Sequence, residues 1–459
     1  MATVPHATPR PGFELARQIG LYAATAITVG NIIGSGIFRS PHSVAQELHS
    51  VPLVIMAWVL GGVLSLCGSL ALAELAVAHP RTGGLYVFIR EGFGNAWGFV
   101  FGWANLWVIK PTVIASITSV FALYLCEALH LPHTAELGVG IGAILLLTFV
   151  NWLGVKEGVR TQSVFTTLKL IGILSLVVLA FTLHASHPAG PLPEGAATSA
   201  AAPARPLMMA LVVAMIPILF AYDGWTDCTY VGGEVMNPRR NLPIAIVWGT
   251  VLVIVTYVLT NLAYFRVLSP GDVATYEAVG SETIGRLLGG WGRHALAVLV
   301  AISTFGTTNG AILTGPRVTQ AMAADGLLWK PLAQLDPVRG TPGNALWVQA
   351  ILACIWLALA GGFEDVSGWF VTTSWLFYGL TTAALFVQRR RERESKGAIA
   401  AASYRTPLYP LTPELFVVVT VVIIASDLTT SGWRAAAGVI IAVLGFPVYA
   451  IWKGRRERA

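Results

Sequence analysis

Residues Gly30-Asn31-Ile32-Ile33-Gly34-Ser35-Gly36-Ile37-Phe38 set glycines and a serine inside an apolar run, 21–44, long enough to cross a bilayer. A spanning helix must bond its own backbone, because lipid offers no hydrogen-bond partner. An opened ladder at that depth is tolerated only where the backbone lines a cavity or meets a ligand. Gly34 and Gly36 also lack the side chains that would block close approach. A second interruption, Phe220-Ala221-Tyr222-Asp223-Gly224-Trp225, lies in the second half of the chain. A broken helix shows N–H groups with partial positive charge on one side and carbonyls with partial negative charge on the other. The N–H groups of Ser35, Gly36 and Ile37 would face an anion, and the carbonyls of Ile32, Ile33, Phe220 and Ala221 a cation. Such a pair of sites fits a zwitterion, and an α-amino acid supplies one carboxylate and one ammonium. Glycine kinks for helix packing are the alternative. The polarity of both breaks and their shared topological position favour the site.

Charged residues at membrane depth are costly and mark function by default. Asp223 has three open roles: pairing a substrate ammonium, carrying a proton, or capping the second half of its broken helix. Lys169, in mid-span, must be paired or lose its proton, unless it snorkels. Lys110 precedes Pro111, so it either pairs with a carboxylate or fills carbonyls that the proline frees. Arg39 either draws anions into an outer vestibule or snorkels. Glu74 and Glu234 sit at cytoplasmic span ends beside Arg81 and Arg239–Arg240, as gate or structural ion pairs.

The elements that hold these residues follow from composition. Of 459 residues, 55% are hydrophobic and 11% charged, against roughly 25% charged in soluble domains. The chain reads as an all-α integral membrane protein with twelve transmembrane helices. The spans fall at 18–49, 52–78, 95–125, 137–153, 159–183, 207–235, 244–268, 293–323, 345–360, 368–388, 408–428 and 433–452. Lys and Arg crowd one set of loops, while the other set holds only Arg205, Arg266, Arg286, Arg293 and Arg434. Both termini are therefore expected in the cytoplasm of a cell (plasma or inner) membrane protein. The stretch 276–288 in the seventh loop reads as a short surface helix. Two sets of five spans, each opening on a broken helix, imply two inverted repeats whose breaks meet at the midplane. The expected organisation is a cytoplasmic tail 1–17, a first five-helix repeat 18–183 and an extracellular linker 184–206. A second, inverted repeat 207–388 follows, and then helices 11–12 with a basic tail, 389–459.

Other functions are weakly signalled. The net charge of +6 resides in loops between spans and is no nucleic-acid signature. The first seventeen residues are polar and hold Pro5, Pro9 and Pro11, so no cleaved leader is expected. Cys67, Cys126, Cys228 and Cys354 lie in apolar stretches and form no metal set. No HExxH, GxSxG or P-loop is present, and Gly138, Gly140 and Gly142 read as helix packing. Neither an enzyme, a cofactor nor a bound metal is expected.

The sequence resembles the amino acid–polyamine–organocation superfamily. The likeness rests on the first break, on Phe220–Trp225, and on Glu234-Val235-Met236-Asn237-Pro238-Arg239-Arg240-Asn241-Leu242-Pro243. Glu74 with Pro80-Arg81-Thr82-Gly83-Gly84-Leu85-Tyr86, and Phe305-Gly306-Thr307-Thr308-Asn309-Gly310, add to it. Within the superfamily the chain is most similar to L-type amino acid exchangers, including bacterial serine/threonine exchangers. The resemblance implies a leucine-transporter-type fold with helices 1 and 6 broken. It implies carboxylate binding at Ser35 and Gly36, ammonium binding at the carbonyls of Ile32, Phe220 and Asp223, and Phe220 as a lid. It also implies that Lys169 reaches the carbonyls of Gly30 and Ile33 where sodium-coupled relatives bind sodium. In that family an apolar residue is usual at the position of Arg39. The expected function is sodium-independent exchange of amino acids by alternating access, with a proton-coupled symporter as the alternative. A non-transporting receptor or a channel is the reading from a different class. The partners expected are an amino acid and the lipid bilayer. The accessory glycoprotein of animal exchangers is not expected to be obligatory.

Overall fold

The computed structural model describes residues 15–187, 205–359, 363–395, 403–430 and 433–456. Most of the tail 1–17 and of the linker 184–206 lies outside the described residues. The first span is split into α1 (Leu21–Ile32) and α2 (Gly36–Leu48), followed by α3 (Val51–Ala78) and a short α4 (Leu85–Phe93). The third span joins α5 (Asn95–Ala104), a π turn (Asn105–Ile109) and α6 (Lys110–Leu129). Pro111 cannot donate into the ladder and crowds the preceding turn, which accounts for the irregularity just before it. The indole of Trp356 donates to the carbonyl of Trp107, one turn before the proline. Helices α7 (Glu136–Leu153) and α8 (Val155–Thr182) close the first half.

In the second half, α9 (Leu207–Ala221) ends in the turn Tyr222–Thr226, and α10 (Asp227–Tyr230) and a 3-10 turn (Gly232–Glu234) follow. The single span expected over 207–235 is therefore three pieces, because Asp223, Gly224 and Thr226 favour turns over helix. Next come α11 (Pro238–Val267), α12 (Pro270–Thr275), α13 (Val279–Ala324), α14 (Gly343–Leu359) and α15 (Phe363–Glu394). The surface helix expected near 276–288 runs into the next span through Gly289, whose φ of 70° kinks α13. Helices α16 (Leu411–Thr430), α17 (Trp433–Val443) and α18 (Gly445–Arg456) complete the described chain.

Among the described residues, ten helical stretches are long and apolar enough to cross a membrane, and α9 and α14 are apolar but shorter. This is a multi-pass, all-helical membrane protein with no sheet among the described residues. Its only strand-like feature there is the parallel bridge Ile19–Val235. That bridge ties the start of α1 to the segment after α10: Gln18 and Ile19 amides donate to the Glu234 carbonyl at 2.8 and 2.9 Å.

Two groups of helices hold the breaks between them. On one side α11 lies against α3 and α1, and α2 against α9. On the other, α13 packs between α6 and α8. Trp58, Tyr222 and Tyr257 lock α3, α9 and α11 through edge-on and tilted ring contacts at 5.1–5.8 Å, each adding to the apolar burial of the rings.

Candidate functional site

The two breaks touch. A methyl on Gly36 would lie 2.6 Å from the Ala221 Cα, and one on Gly224 would lie 2.6 Å from the Asn31 carbonyl carbon. Each glycine thus admits the other helix's backbone, and Gly224 also adopts a φ of +117°. Between the breaks lies a small, partly open cavity of about 40 Å³. Ile32, Ser35, Gly36, Phe220, Ala221 and Asp223 all line it, so the structure gathers most of the residues singled out from sequence.

The end expected to face an anion is the start of α2, whose first N–H groups have no partner within the helix. Ser35 stands at its N-cap position, 2% exposed, and its hydroxyl has no hydrogen-bond partner among the described residues. Ile37 is fully buried and does not line the cavity, and its carbonyl accepts from Tyr264 at 3.3 Å. It belongs to the packing of α2 against α11, so the N–H donors toward the cavity narrow to Ser35 and Gly36.

The carbonyls sort in a similar way. Ile33 is occupied: its carbonyl accepts from Lys169 Nζ at 2.7 Å and from Thr307 Oγ1 at 2.9 Å. It therefore faces away from the cavity that it was expected to line. The Tyr257 hydroxyl is shared between the carbonyls of Ile32 (2.9 Å) and Ala221 (3.0 Å), bridging the two breaks. The Phe220 carbonyl accepts from the Asp223 amide at 3.2 Å. The Tyr222 amide donates to that carbonyl as well. A carbonyl has two lone pairs, so those of Ile32 and Ala221 each keep one beyond the Tyr257 bond. Phe220 and Phe370 line the cavity together, their rings at 6.1 Å and 87°.

Lys169 is wholly buried on α8, and its ammonium donates to Gly30 O (2.8 Å), Ile33 O (2.7 Å) and Thr307 Oγ1 (2.8 Å). All three donors are used, and the end of α1 is pinned to α8 and α13. Snorkelling is not what this side chain does.

Asp223 does not cap α10, whose N-cap residue is Thr226 with no side-chain bond. Its carboxylate instead accepts from the Tyr378 hydroxyl on α15 at 2.6 Å. The carboxylate that sequence reasoning missed is Asp227. Its Oδ1 accepts from Lys110 at 2.7 Å, and its Oδ2 from Asn31 (2.6 Å) and Thr314 (3.2 Å). Lys110 pairs with this carboxylate, while Trp356 serves the carbonyl upstream of Pro111. The signal was available: Asp227 is an intramembrane carboxylate, one helical turn beyond Asp223, and the default that selected Asp223 applies to it equally. From Asn31 a chain of buried amides continues through Gln162 (3.2 Å), Asn309 (3.1 Å) and Asn151 (2.9 Å).

The remaining charges are paired with partners other than their sequence neighbours. Glu74 accepts from Arg389 at 2.6 and 2.9 Å, from Arg405 at 3.0 Å and from the Thr406 amide at 2.7 Å. Glu234 accepts from Arg317 at 2.9 and 3.3 Å, both side chains 0% exposed, whereas Arg239 and Arg240 are exposed. Arg81 lies 3.9 Å from both Glu91 and Asp325. Arg39 meets Glu277 at 3.2 Å across the surface. The four cysteines are free, and among the described residues no His, Cys, Asp and Glu cluster could hold a metal.

Comparison with known proteins follows the same outline. A family model described as "Amino acid permease" matches residues 19–446. The serine/threonine exchanger SteT of Bacillus subtilis (strain 168) is 31% identical over 445 residues, 96% of this chain and 98% of the relative. The mouse b(0,+)-type amino acid transporter 1 is 32% identical, covering 97% of this chain and 89% of the relative. The mouse Asc-type amino acid transporter 1 is 33% identical, covering 95% and 81%.

Proposed function

The chain belongs to the amino acid permease family, within the amino acid–polyamine–organocation superfamily, and from that premise we propose that it is a sodium-independent exchanger of L-amino acids. The observation that carries this reading is the meeting of two opened helices over one cavity, with the start of α2 on one wall and the Ile32 and Ala221 carbonyls, bridged by one hydroxyl, on the other. In this reading the substrate carboxylate takes the N–H groups of Ser35 and Gly36, joined by the unpartnered Ser35 hydroxyl. The ammonium takes the remaining lone pairs of the Ile32 and Ala221 carbonyls, beside the Phe220 carbonyl. Phe220, paired with Phe370, closes over the bound substrate.

Sodium independence is supported by Lys169. Its ammonium sits among two carbonyls and a hydroxyl, a ligand set that would suit a small cation, and it supplies the positive charge itself. Alternating access follows as rocking of α1, α2, α3, α9, α10 and α11 against α6, α8 and α13. That division is supported by the packing of each group. We read the chain as twelve spans in two inverted repeats, 18–183 and 207–388, followed by two further helices, with both termini in the cytoplasm of the cell membrane.

The test is counterflow in proteoliposomes. Vesicles preloaded with unlabelled amino acid should accumulate labelled amino acid, at the same rate in sodium and in choline medium at matched potential. Loss of uptake in choline would overturn the role given to Lys169. A second reading, proton-coupled symport, rests on Asp223, a carboxylate at the cavity wall held by a single side-chain donor, Tyr378. A pH gradient that drives uptake into substrate-free vesicles would favour it over exchange.

A further inference from the structure

Lys110 differs from Lys169, the other buried lysine among the described residues, in having unused donors. Its side chain is 6% exposed and gives one bond, to Asp227 at 2.7 Å, with the Tyr230 ring 4.9 Å away. An ammonium has three donors, and among the described residues no second acceptor meets this one. Lys169, by contrast, spends all three. Asp227 is the reverse case: three side chains donate to it, from α1, α6 and α13. The ion pair therefore turns a donor, not an acceptor, toward the cavity that both residues line. Val113, Ile117 and Ala311, beside it on the same wall, are apolar and offer nothing to bond. A buried donor without an acceptor is costly, and a ligand oxygen placed there recovers that cost.

We propose that Lys110, held in place by Asp227, is a specificity-determining residue that donates to an acceptor oxygen on the side chain of the carried amino acid. The inference rests on the reading that this cavity binds an amino acid. The favoured substrates are those whose short side chain carries a hydroxyl or carbonyl oxygen, and the apolar residues beside Lys110 pack against its carbons. A cationic side chain is disfavoured at this end, because it would meet the ammonium.

Threonine and valine separate the cases, since they match in shape and differ by hydroxyl against methyl. A site built to bond a hydroxyl rejects the analogue that lacks it. The experiment measures uptake of labelled threonine, valine and alanine into proteoliposomes holding the full-length protein. The wild type should prefer threonine to valine by at least ~10-fold in kcat/KM. The double variant Lys110→Met/Asp227→Asn removes both charges together, so neither is left unpaired. It should bring the preference to within about 3-fold. Equal handling of threonine and valine by the wild type overturns the inference. So does a double variant that carries alanine and keeps the preference. Should the double variant carry nothing, Lys110→Arg decides, because it keeps the charge and moves the donor. A changed threonine-to-valine ratio supports the inference, and an unchanged one overturns it. A wild type that carries none of the three counts against the transport reading itself, and the inference falls with it.

Discussion

The two breaks solve one problem with different materials. The first, between Ile32 and Gly36, is short and uncharged. Its Ile33 carbonyl is tied outward to Lys169 and Thr307, and its serine hydroxyl has no partner among the described residues. The second, Tyr222–Thr226, is longer, passes through a glycine at positive φ, and has a carboxylate in the turn and another just after it. Those carboxylates are clasped by Tyr378 from α15 and Lys110 from α6. The first break thus offers backbone chemistry suited to groups that every α-amino acid shares. The second gathers charged side chains suited to what distinguishes one amino acid from another. In the proposed reading, the backbone of the breaks recognises the class, and the charged pair beside the second break selects within it.

That division can be broken at its most constrained point. Gly224→Ala should do the most damage, because its φ of +117° and the Asn31 backbone 2.6 Å away leave no room for a methyl. Strain of about 1–3 kcal/mol corresponds to roughly 5- to 150-fold in transport, and the clash adds to it. Gly34→Ala is the matched control in the first break. The nearest atoms to its methyl would be those of the Thr307 side chain, at 3.5 Å and beyond. Uptake should stay within about 3-fold of wild type, as expected of ordinary van der Waals contact. Thermal unfolding and uptake measured on both variants check the contrast, and equal damage would erase it.

A weaker perturbation sharpens the comparison from the other side. Lys169→Ala strips donors from the Gly30 and Ile33 carbonyls in a dry region, at a cost of about 1–3 kcal/mol. Amide hydrogen exchange should quicken across α1 while α9 is unaffected, since the two backbone carbonyls deprived of a donor belong to the first break alone. Acceleration in both helices would show that the breaks open as one unit.

The smallest effect is expected from Tyr257→Phe. It removes only the hydroxyl shared by Ile32 and Ala221, the one side-chain hydrogen bond donor that touches both breaks among the described residues. The loss should be about 1 kcal/mol, read as a modest fall in unfolding temperature with substrate binding weakened a few-fold. A larger effect than that of Lys169→Ala would mean that the breaks are held chiefly by each other rather than by α8 and α13.

Much of this site is legible in the amino-acid sequence. Glycines and a serine inside an apolar run mark an opened helix, and both openings lie where the residues themselves put them. The local signals for turns at Gly34–Gly36 and at Asp223–Gly224 need no tertiary partner. The Lys169 contacts came from family likeness, since nothing in the sequence spacing links residue 169 to residues 30 and 33. The partners of the other charges were not legible. Glu74 and Glu234 have arginines close by in the chain, yet they bond Arg389, Arg405 and Arg317 instead. Asp223 suggests a cap by its position and meets Tyr378. Asp227, the most heavily bonded carboxylate in the cavity, carries no local mark that sets it above Asp223.

Sequence by itself determined what is local: which segments are apolar enough to span, where their backbone must open, and which polar groups the opening exposes. Those outcomes depend on torsions and hydrogen bonds within a few residues. Tertiary structure alone decided which polar group meets which. A contact across helices depends on how each helix is rotated about its axis and which neighbour packs beside it, and residue spacing within one helix specifies neither. The pairing of Lys110 with Asp227, 117 positions apart, is of that kind. So is the division of the cavity into an uncharged wall and a charged one.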